Sequence, residues 1–175
     1  MLHQLGIPFE VVPGNVQEIH EETGDAPRLA ELNAVAKSNQ VAQGRPNSLV
    51  LGADTLVYLG REVFGKPRDA VDAEGMLLRL SGRTHRVVTG ICLTHAAKRK
   101  QRSFVETTDV TFRTLSLVEV RTYLSSIHPF DKAGAYAIQE NGDAIVASVV
   151  GSHSNVVGLP LERLQTELQQ WADFS

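Results

Sequence analysis

Three short polar stretches in this chain sit among small residues, and each holds side chains that can do chemistry. The first, Gly52-Ala53-Asp54-Thr55, closes the apolar run Ser48-Leu49-Val50-Leu51. The second is Phe64-Gly65-Lys66-Pro67, and the third is Asp131-Lys132-Ala133-Gly134-Ala135-Tyr136-Ala137-Ile138-Gln139. Small neighbours let a bulky ligand approach the backbone, and a charge at a strand end can face that ligand. A carboxylate placed there can take a proton from water or hold a hard divalent cation, and ammonium groups beside it offset negative charge on phosphate oxygens. Taken singly, each residue also has a plain reading. Asp54 could be a helix cap or turn residue, Lys66 a surface lysine, and Gln139 a partner for a backbone group.

The elements that must position these groups follow from hydrophobic spacing. Ile7 to Val12 reads as a short strand after the Gly6 turn, residues 13–27 as a loop, and Pro27 to Ala42 as a helix with Leu29, Leu32, Val35, Ala36 and Val41 near helical spacing. Ser48 to Asp54 is expected to be a buried strand that ends at the carboxylate, with Leu56 to Leu59, Gly60-Arg61 and Glu62-Val63-Phe64 forming a hairpin. Asp69 or Asp72 caps a helix through Met76, Leu77 and Leu80, which Ser81-Gly82-Arg83 ends. Strands resume at Arg86 to Thr94 and Ser103 to Phe112 around the basic stretch 98–102, which reads as a solvated hairpin tip rather than a phosphate site. Ser116 with Glu119 has capping-box spacing for a helix to Ser125; Ala144 to Val150 reads as a strand and Leu159 to Trp171 as an amphipathic helix. Strands alternating with helices and hairpins predict an α/β fold on a mixed sheet.

Composition limits the partners. The 175 residues, 42% of them hydrophobic, can bury one sizeable core, and a net charge of −3 with 21% charged residues shows neither a nucleic-acid footprint nor a polybasic membrane patch. No apolar run approaches the ~20 residues that span a bilayer, and no signal peptide is read. The one cysteine, Cys92, lies in an apolar strand and permits a reducing compartment. A small-molecule ligand and a cytoplasmic location are the expectation.

The three clusters join a longer series. Gly52 to Thr55, Gly65-Lys66-Pro67, Leu80-Ser81-Gly82-Arg83-Thr84-His85, Ser103 to Thr108, Asp131 to Tyr136 and Gly151-Ser152-His153-Ser154-Asn155-Val156-Val157-Gly158-Leu159-Pro160 together resemble the Maf family of nucleotide pyrophosphatases, over most of the chain from Leu2 to Trp171. The resemblance implies one Maf-like domain over residues 1–175. It also implies an elongated α/β fold related to the inosine triphosphate pyrophosphatases, a cleft between two lobes, a homodimer, and magnesium or manganese as cofactor. On it, Asp54 matches the proposed proton acceptor, Lys66 and Lys37 match active-site lysines, and Glu18 falls where the family carries an Asp-Glu pair, here Gln17-Glu18. Arg83 and Lys132 fall in substrate-binding motifs, and Asp54 with Glu18 is the expected metal pair. Glu106 is either a further oxygen ligand or an ordinary strand residue, and His153, where a tyrosine is frequent, either stacks on a base or sits in a turn.

Attack of water on the α-phosphorus of a nucleoside triphosphate loads charge onto non-bridging oxygens and the leaving pyrophosphate, so cations suit that site, and the water must also lose a proton. Asp54 can accept that proton or hold the metal. Thr55 and Gln139 match the branch that acts on dTTP and UTP, and an amide suits a uracil or thymine edge that offers a carbonyl beside an N–H. Ala137 stands where the family has glycine. The family's opening strand and Ser-x-Ser-Pro-Arg-Arg loop are expected to be missing ahead of Leu2. The competing expectations are a non-catalytic nucleotide-binding regulator of cell division and a pyrophosphatase for 7-methyl-GTP or inosine triphosphate.

Overall fold

The structure is a computed structural model that describes residues 1–20 and 24–173. Its elements are α1 (Ala26–Gly44), β1 (Val50–Leu59), β2 (Glu62–Phe64), α2 (Ala70–Leu80), β3 (Thr84–His95), β4 (Lys100–Phe112), α3 (Leu117–Ser126), β5 (Val146–Val150), α4 (His153–Val157) and α5 (Leu161–Asp173), with short 3-10 turns between some of them. The α/β class is as expected. The five strands form one sheet in the order β2-β1-β3-β4-β5, and every pairing is antiparallel where a mixed sheet was expected. Short turns join β1 to β2 and β3 to β4, whereas β2 and β3 run parallel on either side of β1 and the connection through α2 crosses over β1 to link them.

Two other expectations are corrected. Residues 7–12 form no strand, and Ile7 and Val11 are exposed: the stretch has no ladder partner and is held by the paired contacts of Arg45 with Glu10 at 3.0 Å. The strand expected to stop at Asp54 runs through it to Leu59, because β3 pairs with β1 in unbroken register from Val50↔Thr94 to Tyr58↔Arg86. The loop expected over 13–27 is borne out at 13–20; residues 21–23 lie outside the described part.

Helix boundaries follow their capping residues. Asp25 caps α1 by accepting from the Arg28 amide, Asp69 caps α2 from the Asp72 amide, and Ser116 with Glu119 completes the capping box on α3. Side-chain parity then assigns the layers. Even-numbered residues of β1 (Gly52, Asp54, Leu56) face α1, whereas odd-numbered ones face the other helices. On that second face, Val57, Val87, Val110 and Phe112 pack with Leu77, Leu80 and Tyr123 of α2 and α3. Further along the same strands, Ile91, Leu93 and Phe104 pack with Leu161, Leu164 and Trp171 of α5. A fully buried leucine such as Leu77 or Leu164 contributes roughly 2 kcal/mol by leaving water.

A polar belt separates these two cores. Thr55 and Thr89 are direct cross-strand partners with hydroxyls 2.9 Å apart, and fully buried Asn155 of α4 donates to Val87 O and to Thr108 Oγ1, each at 3.0 Å. Thr55, at one end of this belt, also lines a cleft. No helix among the described residues is long and apolar enough to cross a membrane.

Candidate active site

α1 lies unusually close to the sheet. Its inner stripe is Ala30, Ala34 and Ser38, one turn apart, and beneath it sit Gly52 and Gly90. A Cβ on Gly52 would stand 2.4 Å from Ala34 O, and one on Gly90 would stand 2.4 Å from Ala30 O, so only glycine admits the helix at this distance. Gly90 is also the cross-strand partner of Asp54, so the helix is seated directly beside that carboxylate.

The adjoining helical row, Asn33 and Lys37, therefore reaches Asp54 directly. Lys37 Nζ lies 2.6 Å from Asp54 Oδ1 and 2.8 Å from a Glu18 carboxylate oxygen, and it also donates to Ala53 O at 3.3 Å. Asn33 Nδ2 donates to the other oxygen, Asp54 Oδ2, at 3.0 Å. Asp54 is only 8% exposed, so both of its oxygens are claimed by a helix donor in a place where an unpaired charge would be costly. Burial draws Lys37 down, but its hydrogen bonds to Asp54 and Glu18 outweigh that and hold its pKa above the ordinary lysine value. For Glu18, burial pushes upward, and the hydrogen bond and charge of Lys37, with the charge of Lys66, prevail and hold it below the usual carboxylate range.

The second half of the site lies on loops. β2 pairs with β1 only at Val57 to Leu59, so no described strand covers the β1 edge from residue 50 to 56, and the cleft opens along it. Lys66, just beyond β2, is exposed and lines this cleft. Gly65 O accepts from Gly134 N at 3.0 Å, which ties the Lys66 loop to residues 131–139. Tyr123 fastens that loop from α3: its hydroxyl donates to Ala137 O and accepts from Ala137 N, both at 3.0 Å, and burial pushes the phenol up to about 12. Lys132 faces the cleft with Asp131 at 3.0 Å and Glu140 at 3.5 Å.

The cleft measures about 360 Å³ and gathers Lys37, Asp54, Thr55, Lys66, Lys132 and Gln139, with Tyr136 and Val156 to Gly158 as apolar and backbone walls. Glu18 joins through Lys37. Arg83, expected at the site, and Glu106 and His153, for which an ordinary strand or turn role was left open, lie outside the cleft lining. Arg83 is exposed in the turn after α2 and lines no part of the cleft, since that turn closes the far end of the α2/α3 lobe. Glu106 is drawn to Arg163 of α5 at 3.1 Å. His153 opens α4 and is exposed, outside the cleft lining. Asn33, to which the sequence reading assigned no role, is 2% exposed and in contact with Asp54; the available signal was its i, i+4 spacing to Lys37.

The arrangement can bind a polyanion, take a proton and hold a cation. Asp54 and Glu18 share one ammonium and are the residues of this site that could hold a metal ion, although no group of three His, Cys, Asp or Glu gathers among the described residues. Two carboxylates completed by substrate phosphates and water are a donor set that suits magnesium.

Comparison with known proteins agrees with this geometry. A protein of Myxococcus xanthus named dTTP/UTP pyrophosphatase is 49% identical over 161 residues, covering 92% of this chain and 81% of that protein. Proteins of the same name from Symbiobacterium thermophilum and Ruminiclostridium cellulolyticum are 44% and 40% identical, covering 98% and 97% of this chain and 87% and 89% of their own lengths. The family described as Maf-like protein matches residues 1–171, a span that takes in both walls of the cleft. Every part of the site thus lies within the matched region, and the chain belongs to the Maf-like protein family.

Proposed function

We propose that this chain hydrolyses dTTP and UTP to the monophosphate and pyrophosphate. The observation that carries the reading is the convergence of Asp54 with Lys37, Lys66 and Lys132 on one cleft, in a chain 40–49% identical to proteins named dTTP/UTP pyrophosphatase.

The triphosphate lies along the open β1 edge, with Lys37 and Lys66 offsetting the charge that builds as water attacks the α-phosphorus. Asp54 accepts the proton of that water. Its two oxygens, steadied by Asn33 and Lys37, keep it oriented without further reorganisation. Glu18 and Asp54 would hold a divalent metal, Mg2+ or Mn2+, which when bound supplies positive charge to the phosphate oxygens. Thr55, on the belt between the lobes, and Gln139, on the opposite wall, read the pyrimidine, with Lys132 beside them. The family resemblance further supports a homodimer acting in the cytoplasm.

The test is pyrophosphate release from a panel of dTTP, UTP, 7-methyl-GTP and inosine triphosphate with each metal. Preference for dTTP and UTP is expected. Preference for a purine triphosphate would contradict the pyrimidine assignment, and binding of dTTP without any release would identify a nucleotide-binding regulator instead.

A further inference from the structure

Asn33 sits in the middle of a 19-residue helix with 2% of its surface exposed, where a polar amide has no place unless every bond it makes is needed. It makes three. Its Oδ1 accepts from Ile19 N at 2.9 Å, and its Nδ2 donates to Ile19 O at 3.1 Å and to Asp54 Oδ2 at 3.0 Å. The amide orientation is not a matter of choice: Ile19 N can only donate, and Ile19 O and a carboxylate oxygen can only accept, so a single orientation satisfies all three.

The Ile19 bonds copy the pairing of two strands. Through them one side chain grips a segment that has no regular secondary structure and that carries Glu18 as its neighbouring residue. Gln40, seven residues further along α1, holds the same segment by donating to Asn15 O at 2.9 Å. Between them Lys37 spans Glu18 and Asp54. The two carboxylates come from parts of the chain that share no strand pairing; α1 brings them together through Asn33, Lys37 and Gln40.

We propose that Asn33 is a positioning residue for hydrolysis: it docks the Glu18 segment and orients Asp54 with the same amide, so that the two carboxylates hold a set relation during turnover. This rests on the proposed function for its consequence in rate. The docking itself does not depend on it.

Asn33→Ala removes all three bonds. Asn33→Asp is isosteric and keeps the acceptor for Ile19 N, but it replaces both amide donors with a carboxyl oxygen that faces Asp54 Oδ2, so it disturbs Asp54 through lost bonding and like charge together. In both variants kcat for pyrophosphate release from dTTP is expected to fall about 10- to 100-fold with KM little changed, the size of effect that small misplacements of reacting groups produce. Hydrogen exchange of the Ile19 amide adds a readout independent of turnover: protected in the wild type, still protected in Asn33→Asp, released in Asn33→Ala. A drop in kcat for Asn33→Asp with Ile19 still protected separates orientation of Asp54 from docking of the loop. If both folded variants turn over within twofold of wild type, or if Ile19 exchanges equally in wild type and Asn33→Ala, the proposal is overturned. Should the wild type release no pyrophosphate from any triphosphate, the proposed function fails, and Ile19 exchange alone then decides whether Asn33 docks the segment.

Discussion

Lys37 and Lys66 both carry an ammonium group into the cleft, yet they are held differently. Lys37 is gripped by two carboxylates beneath a helix, and its loss would leave Asp54 buried without a countercharge. Lys66 is exposed on a loop, so its charge is available to a ligand at little structural cost. Lys66→Ala is therefore expected to lower kcat for dTTP by roughly a hundredfold, as loss of one preorganised charge partner does, while the melting temperature is unchanged. Steady-state kinetics beside a thermal melt check both halves, and an undiminished kcat would remove Lys66 from the reaction. At this scale short stretches flanked by small residues single out Asp54, Lys66, Lys132 and Gln139, but only resemblance to a family joins them into one site. Asn33 escaped notice since one asparagine in an amphipathic helix looks like any solvated position, and only the burial of its face reveals otherwise. Arg83 lies outside the cleft lining, and a motif beside a helix end gives no direction in space by which the sequence could show it.

At the scale of elements, the central feature is the contact of α1 with the β1–β3 seam. Gly90→Ala would force a Cβ into Ala30 backbone and push the helix outward, withdrawing Asn33 and Lys37 from Asp54. The expected result is a loss of about 1–3 kcal/mol of stability, as for other overpacked sites, with a parallel loss of turnover. Gly75, inside α2 with open space for 4 Å around the place a Cβ would take, is the matching control: Gly75→Ala should add about 0.5–1 kcal/mol through helix propensity alone and leave activity intact. Urea unfolding of both variants decides the comparison, and a stable, active Gly90→Ala enzyme would show that the close approach is dispensable. Helices and hairpins were readable, since caps and turns are local signals that the chain carries in a few residues. The strand expected at 7–12 was not formed, because β-branched residues make a strand only where another strand is present to pair. Antiparallel pairing throughout was likewise hidden: alternation of elements does not say which neighbour a strand will choose.

At the scale of the whole molecule, one titratable group is buried in the larger core and held neutral there. His85 lies 1% exposed in the α2/α3 lobe, with Nε2 3.0 Å from the Tyr136 hydroxyl and its ring edge-on to Phe112 and Tyr136, and burial pushes its pKa down from 6.5 to about 4. The unfolded chain takes up this proton as pH falls below about 6.5 and the folded chain only near 4. The contribution is thus fully present above 6.5 and declines through that window, by on the order of 3 kcal/mol. In His85→Phe the slope of unfolding free energy against pH between 6.5 and 4 should be shallower than in the wild type; parallel slopes would mean that His85 is protonated in the folded state. The two-lobed plan itself was legible only through resemblance to a family, since no local pattern records that two cores share one sheet.

Asp54 is the group proposed to take the proton from the attacking water. Asp54→Asn preserves size and can still accept from Asn33, so dTTP should bind within a few-fold of the wild-type Kd while pyrophosphate release falls by about a thousandfold or more. Measured side by side on the two proteins, that separation of binding from turnover is the predicted result; wild-type release of pyrophosphate by Asp54→Asn would contradict it.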